Sequence, residues 1–404
     1  MTRVAASWLI YRLTHSAFLL GVAGFAGQLP MFLLAPVAGV WIDRWDRHRT
    51  LIFTQILSLV QSFALAILAL TGIIQVWHVI VLMVMQGVVN AFDMPARQAF
   101  VVEMVDDRAD LPNAIALNSS MVNAARLIGP AIGGLIIARA GEGYCFLIDG
   151  VSYIAVIASL LAMHVNAPVA RAGNRKVMEE LVEGWRYVSG SVPIRSILLL
   201  LALVSLLGMP YMVLMPVFAA NILHGGPHTL GTLMASIGVG ALAGVLALAG
   251  RQSVIGLGRV IPVSAGVFGV ALIGFGLSKW LWLSMAMLLV TGFGMMRQMA
   301  ASNTILQTIV EDEKRGRVMS FYTMAIAGIS PFGSLFAGVV AGRFGAPITV
   351  ALSGGLCVAG ALLFARDLPG LRDRIRPIYR QLGILPVLDA EVPGASTIEP
   401  AAQS

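Results

Sequence analysis

Apolar runs of about 20 residues, the length a helix needs to cross the hydrocarbon core of a bilayer, recur from one end of this chain to the other. No other feature limits the fold as tightly, because in that core each backbone N–H and C=O must be satisfied within its own segment, as a helix does. Eleven full-length runs can be counted, at about 17–42, 50–74, 77–96, 112–138, 146–164, 194–222, 229–250, 260–278, 280–299, 318–341 and 346–365. Composition agrees: 58% of the residues are hydrophobic and 12% are charged, about half the charged share of a soluble protein. The expected class is an all-α polytopic membrane protein.

Ahead of these runs stands a shorter one, Met1 to Leu13. At 1.5 Å per residue it reaches about 20 Å against a core of about 30 Å. No basic segment precedes it and Arg3 sits inside it, which argues against a signal peptide. The expectation is that it is the second part of a first span, that the intact protein starts upstream, and that it crosses the membrane twelve times. A product with a genuine half-helix is the alternative.

The formal charge of +7 could suggest nucleic acid, so the basic residues were sorted by loop. Of 27 Lys and Arg, 20 fall in alternate loops and the tail: Arg44, Arg47 and Arg49; Arg97 and Arg108; Arg171 to Arg195; Arg251 and Arg259; Lys314 to Arg317; Arg366 to Arg380. Four lie at the opposite ends, Arg12, Arg139, Lys279 and Arg343. That bias is the positive-inside pattern. It assigns the first set of loops and the C-terminus to the cytoplasm and removes the case for nucleic acid. Cys145 and Cys357 sit in or beside apolar runs in different halves and are read as small buried hydrophobes. No metal-ligand spacing and no P-loop occurs, so uphill movement of a substrate would draw on a gradient or a partner.

Four regions follow: an N-terminal helical bundle at 1–164, a linker at 165–193, a C-terminal bundle at 194–365 and a cytoplasmic tail at 366–404, disordered near its end. In the linker, Val177, Leu181, Trp185 and Val188 recur at helical spacing with Glu179, Glu180 and Glu183 off that stripe. This predicts an amphipathic helix tying the halves together. The halves repeat. "PARQAFVVEMVDDRAD" lines up with "AASNTILQTIVEDEKR", and "LIGPAIGGLIIARAG" with "GISPFGSLFAGVVAGRFG". Repeated halves around a central loop are a transporter architecture.

The charges gather in "GVWIDRWDRHRT", and Gly39, Asp43, Arg44, Arg47 and Arg49 there match GxxxDRxxRR, with Asp46 where a glycine is usual. An acid at such a loop can cap a neighbouring helix, and Arg47 can pair with a carboxylate on another helix, for which Asp93 is the candidate. The stretch Gly129 to Gly134, "GPAIGG", matches gxxxGPxxGG with Ala125 for the leading glycine. By these motifs the chain resembles the major facilitator superfamily. "FAGQLP", "NAFDMPARQAF" and "NAIALNSSMVNAARLIGP" resemble its branch of enterobactin exporters, macrolide-efflux proteins and transmembrane secretion effectors. The resemblance implies two six-helix halves, a gating latch at Gly39, Asp43, Arg44, Arg47 and Asp93, and a fifth-helix hinge at Ala125, Gly129, Pro130, Gly133 and Gly134. It also implies proton antiport, although the fourth-helix motif RxxqG has Met83 in place of its arginine.

Three polar stripes in the N-terminal half suggest a wet cavity. Arg3, Ser7 and Tyr11 share a face of the first helix; Gln86, Asn90, Asp93 and Arg97 share one on the fourth; Ser119, Asn123 and Arg126 share one on the fifth. An arginine near mid-membrane costs about 2.5 to 3.5 kcal/mol on the mildest scale, so Arg3 and Arg126 point to an anionic or catechol-rich substrate. Asp149 is the candidate for proton coupling, against the plain reading of an acid stabilised by a helix N-terminus. "GMPYMVLMP" offers Met209, Met212 and Met215 at regular spacing, read as packing.

The expected function is secondary active export of a siderophore-like, anionic or amphipathic compound, or a drug, by alternating access. It is placed in the bacterial inner membrane, and the chain is expected to act as a monomer and not as an enzyme. The expected partners are a small-molecule substrate, the lipid bilayer and a proton gradient, without metal, cofactor or nucleic acid. An importer or lipid translocator of the same fold, or a polytopic membrane enzyme, is the alternative. Against the enzyme, no HExxH and no exposed serine elbow appears.

Overall fold

The structure is a computed structural model and describes residues 1–42, 45–105, 107, 110–163, 177–250 and 254–381. Among these, every regular element is helical. The N-terminal half comprises α1 (Thr2–Thr14), α2 (Ala17–Ile42), α3 (Arg47–Leu70), α4 (Val76–Glu103), α5 (Leu111–Ala140) and α6 (Glu142–Ala162). A linker helix, α7 (Val177–Gly190), leads to the C-terminal half. There α8 (Val192–Leu203) and α9 (Tyr211–Val217) form one span with π-helical turns at Val204–Gly208 and Phe218–Ile222. Next come α10 (Pro227–Ala249), α11 (Leu257–Leu277) and α12 (Leu281–Ile309). A second composite span joins α13 (Asp312–Thr323) to α14 (Ser330–Phe344) through a π-helical turn at Met324–Gly328, and α15 (Ala346–Gln381) closes the order.

Each of the eleven expected runs is therefore a helix. By length and composition, nine spans among the described residues are apolar enough to cross a membrane. On α5 the described side chains give an apolar stretch at Ile128–Ala140, and α12 carries Arg297 and Gln298 inside its apolar stretch. Beyond Arg366, in the region read as the tail, α15 continues to Gln381 through Pro369 and Pro377, and Leu371 is buried against the core. The last residues, 382–404, lie outside the described set.

The repeat of the halves is visible in the backbone. His15 after α1 and His224 after the Phe218–Ile222 turn both take left-handed conformations, at φ 50° and 49°, and Gly141 and Gly345, after α5 and α14, both take φ near 90°. These values suit glycine, and histidine tolerates them only locally.

One end of the bundle carries α7, the close of α15 and most basic loops. It is called the basic end below, and the opposite one the far end. Toward the far end the halves meet by backbone on backbone: a Cβ on Gly21 of α2 would stand 2.5 Å from the Gly338 Cα of α14, and one on Gly134 of α5 would stand 2.7 Å from the Gly231 Cα of α10. Small residues allow such approach where lipid gives no hydrophobic drive between helices. Gln28 adds polar links from α2 to α14, accepting from Ser330 at 3.1 Å and donating to Ser334 at 3.4 Å. Among the described residues α4 and α13 are not packed substantially against each other at the basic end, so the closest approach of the halves that these residues show lies toward the far end.

The linker helix docks on the C-terminal half. Glu183 pairs with Arg317 of α13 at 2.7 Å, and a Cβ on Gly184 would meet the Phe321 ring at 3.0 Å. Its buried line runs through Gly184 and Val188, while Trp185 is exposed with its ring beside Phe321. The stripe expected through Trp185 is thus rotated, because the glycine lets α13 come closest there. The side chains of Val177 and Leu181 lie outside the described residues. Met215 is fully buried, and Met209 and Met212 pack on the same core.

Candidate functional site

At the basic end, Gly39 stands near the close of α2, and Asp43 and Arg44 lie outside the described residues. Asp46, at the usual glycine position, opens α3: its carboxylate accepts the Arg49 backbone N–H at 3.1 Å and lies 3.5 Å from the Arg49 side chain. That is an ordinary N-cap. Arg47 pairs with Glu103 at 2.5 Å, so the carboxylate that it meets on α4 is not the expected Asp93. The reason is depth: Asp93 lies almost three turns further into α4, out of reach of the first turn of α3.

Asp93 is 7% exposed and fully engaged. One carboxylate oxygen accepts from Thr54 at 2.9 Å and Gln55 at 2.6 Å, both on α3, and the other accepts from Arg97 at 2.7 Å. Three donors around one buried carboxylate are what keep a charge tolerable there. Further along, Gln86 donates to Ser58 of α3 at 3.3 Å and to Asn90 at 3.2 Å. The α4 stripe expected to stand clear in a cavity therefore leans on α3, with Gln86 and Asn90 half-buried. Sequence reading missed the counterpart: Thr54, Gln55, Ser58, Gln61 and Ser62 form a buried polar spine on α3. Their helical spacing in "TQILSLVQS" was the available signal.

Asp149 belongs to that spine and accepts from Ser62 at 2.9 Å. Because α6 begins at Glu142, the acid lies two turns inside the helix, past the first turn where a helix dipole acts. Its stabilisation comes from α3 and not from the N-terminus.

On α5, the hinge motif splits between two neighbours. Gly133 faces Met1, whose Cα a Cβ would meet at 3.4 Å, with Gly129 more loosely beside it. Gly134 and Pro130 face α10, where the Pro130 carbonyl would lie 3.1 Å from a Cβ on Gly231. Ala125 is exposed, so the closest approach falls on Gly134 and not on the stripe Ala125, Gly129, Gly133. The side chains of Ser119, Asn123 and Arg126 lie outside the described residues. On α1, Arg3 is exposed, Ser7 bonds back to the Val4 carbonyl at 3.0 Å, and Tyr11 is buried with Asn221 of the C-terminal half near its hydroxyl. Tyr11 thus joins the halves near the far end and does not share a cavity face with Arg3.

A third intramembrane arginine, Arg297, escaped the sorting by loops. It lies about mid-length on α12, half-buried, with its guanidinium 5.5 Å from the Phe293 ring centroid and its buried Nε without a hydrogen bond. None of the ion pairs among the described residues includes it. The same side of α12 continues through exposed Thr304 and exposed Gln307, which donates to Asn303 at 2.7 Å. In a membrane-spanning helix, an accessible polar strip of this kind faces water and not lipid.

Two repeated helical halves that meet through glycine crossings toward one end, with Arg297 about midway along α12, have the architecture of a major facilitator transporter. Residues 1–378 match the family model described as transmembrane secretion effector, and the chain belongs to that family. It is 26% identical over 358 residues to the staphyloferrin A transporter of Staphylococcus aureus, covering 87% of this chain and 88% of that protein. It is 26% identical over 384 residues to the multidrug efflux pump Tap of Mycolicibacterium fortuitum, covering 92% of each. Over 362 residues it is 24% identical to macrolide efflux protein A of Streptococcus pyogenes, covering 87% of each. Among solved structures it resembles a bacterial homologue of the human lysosomal transporter Spinster, described as inward-facing and unoccupied, with a TM-score of 0.65, 16% identity and coverage of 94% and 96%. It also resembles the inward-open xylose transporter XylE of E. coli, with a TM-score of 0.67, 12% identity and coverage of 89% and 90%. The protein is a multi-pass membrane transporter, and no enzyme.

Proposed function

We propose that this transporter exports an anionic or amphipathic small molecule, of the kind represented by a siderophore-like chelator, across the bacterial cytoplasmic membrane. The positive-inside bias puts the basic end and the C-terminus in the cytoplasm. With the halves meeting toward the far end, the cavity is then in the loading state of an exporter. The relatives described as efflux pumps and as a siderophore transporter support the same direction and substrate range.

The observation that carries the substrate class is Arg297. A guanidinium at mid-span, with an aromatic ring as its neighbour and a buried Nε left open, is an anion site awaiting its partner. Arg126 lies at similar depth on α5, in the other half. Release follows from rocking of the halves: the glycine crossings part and the basic end closes, with the loop from Gly39 to Arg47 latching it. Asp149, held by a neutral hydroxyl, is the proton carrier that we assign to antiport.

In inverted vesicles a proton gradient should drive uptake of a polycarboxylate chelator. Arg297→Gln should lower that uptake about tenfold or more, in line with ~1.5–3 kcal/mol for a hydrogen bond to a charged group, and Arg297→Lys should restore part of it. Uptake that ignores Arg297, or that favours a cationic drug, overturns the substrate class. Uptake indifferent to collapse of the gradient overturns antiport.

A further inference from the structure

We infer that the C-terminal half holds a closed, water-filled pocket between α11 and α12, formed by Gln298, Ser302 and Ser264, and that this pocket is the uncharged counterpart of the Asp93 cluster. The inference stands apart from the proposed function.

The two alignments that relate the halves bring these residues together. The register that lines up "PARQAFVVEMVDDRAD" with "AASNTILQTIVEDEKR" sets Arg97 opposite Ser302 and, continued back, Asp93 opposite Gln298. Lining up "GVWIDRWDRHR" with "AGRQSVIGLGR" sets Thr54 opposite Ser264 and Gln55 opposite Ala265. The backbone obeys the same register. Gly87 and Gly292 correspond, and at both a Cβ would run into a carbonyl of the helix alongside, Gly27 on α2 and Ile237 on α10.

The chemistry of the two clusters differs in a definite way. In the N-terminal half both carboxylate oxygens of Asp93 are bonded, to Thr54, Gln55 and Arg97. In the C-terminal half Gln298 and Ser302 are fully buried and Ser264 is 2% exposed. Yet both amide atoms of Gln298 and both serine hydroxyls have no hydrogen-bond partner. Gly294, one turn from Gln298, packs on α11 so closely that a Cβ would stand 2.8 Å from the Ser264 carbonyl, which turns this face of α12 toward Ser264. On α11, Pro262 has no N–H to return to the Gly258 carbonyl one turn earlier.

Buried polar groups left open in this number are satisfied by ordered water when the space allows. Space is what the substitutions supply. Serine stands where the other half has Arg97 and alanine where it has Gln55, so the two long side chains beside Asp93 have short counterparts beside Gln298. The lining offers donors and acceptors but no charge: Gln298 stands where the other half has its carboxylate. Water meets those terms, and a cation finds no counter-charge in the lining.

Radiolytic hydroxyl-radical footprinting of the full chain in nanodiscs tests this, because a buried side chain is oxidised only where bound water lies against it. Ile261 and Ile305, neighbours of the cluster with almost no exposure, should be modified several-fold faster than Leu272 and Phe275, which are equally buried further along α11. Gln298→Met, similar in volume and apolar, should abolish that excess and lower the thermal midpoint, because it strands the water. Equal, negligible modification at all four residues overturns the proposal, and so does a midpoint raised by Gln298→Met, the result for a dry pocket relieved of an unpaired amide. Should that variant fail to fold, the wild-type footprint alone decides.

Discussion

The Asp93 carboxylate illustrates how unequal the members of one cluster can be. Removing it strands the buried Gln55 amide, while Thr54 keeps the Leu51 carbonyl at 2.9 Å as an acceptor and the exposed Arg97 turns to solvent. Removing Arg97, whose side chain is 54% exposed, leaves the carboxylate with two donors and strands nothing. Asp93→Ala should therefore cost about 1–3 kcal/mol, the range for leaving a buried donor without its acceptor. Arg97→Ala should cost about 1 kcal/mol or less, as for exposed ion pairs. Thermal unfolding of the two variants in the same detergent measures the difference, and equal losses would mean that Thr54 and Gln55 contribute little. At this scale the sequence was a partial guide. It singled out Arg3, Asp93, Arg126 and Asp149 because charge inside an apolar helix is conspicuous, and Asp43 and Arg47 by their loop motif. It could not choose Glu103 over Asp93 for Arg47, since both carboxylates lie on the same helix and only the axial offset of α3 against α4 decides.

Among the elements, α7 was legible as a helix from its amphipathic period but not in its orientation. A glycine contributes nothing to a hydrophobic stripe, yet Gly184 is where α13 comes closest. Gly184→Leu should therefore undock α7 by collision with Phe321 and Arg317, exposing the linker to protease. Glu183→Ala, which removes a half-exposed ion pair, should leave the cleavage pattern unchanged and cost roughly 0–1 kcal/mol. Limited proteolysis of both variants distinguishes packing from charge as the source of docking. The polar spine of α3 and the stripe on α12 were hidden for another reason. Ser, Thr and Gln lower the hydropathy of a run only slightly, so a window average records a continuous span while its two faces differ completely. Arg297 vanished in the same way, between apolar neighbours and far from any loop.

For the whole molecule, the all-α class and the succession of long helices were readable because they depend on composition along the chain. The state of the transporter was not, because it is set by which ends of the halves touch. With the far end closed, Asn303→Cys on the accessible strip of α12 should react with a membrane-impermeant maleimide from the basic side only. Gly134→Val, which forces a side chain between α5 and α10, should shift that labelling toward the far side and lower transport while the protein still reaches the membrane. Labelling from the basic side that persists unchanged in the valine variant would show that the crossing does not hold the far end shut.

The two glycine crossings carry one more consequence. Gly21 on Gly338 and Gly134 on Gly231 hold the far end through bare backbone surfaces, with no charge at either crossing. Parting such a seam forfeits dispersion contacts and admits lipid or water in their place, so its cost responds to bilayer thickness and lateral pressure and hardly at all to ionic strength. At the basic end the ion pairs, Arg47 on Glu103 and Arg317 on Glu183, each lie within one half or between it and the linker, so ionic strength acts there on the charged loops that the two halves present to each other. Each gate of the cycle thus listens to a different property of its surroundings, lipid at one face and electrolyte at the other.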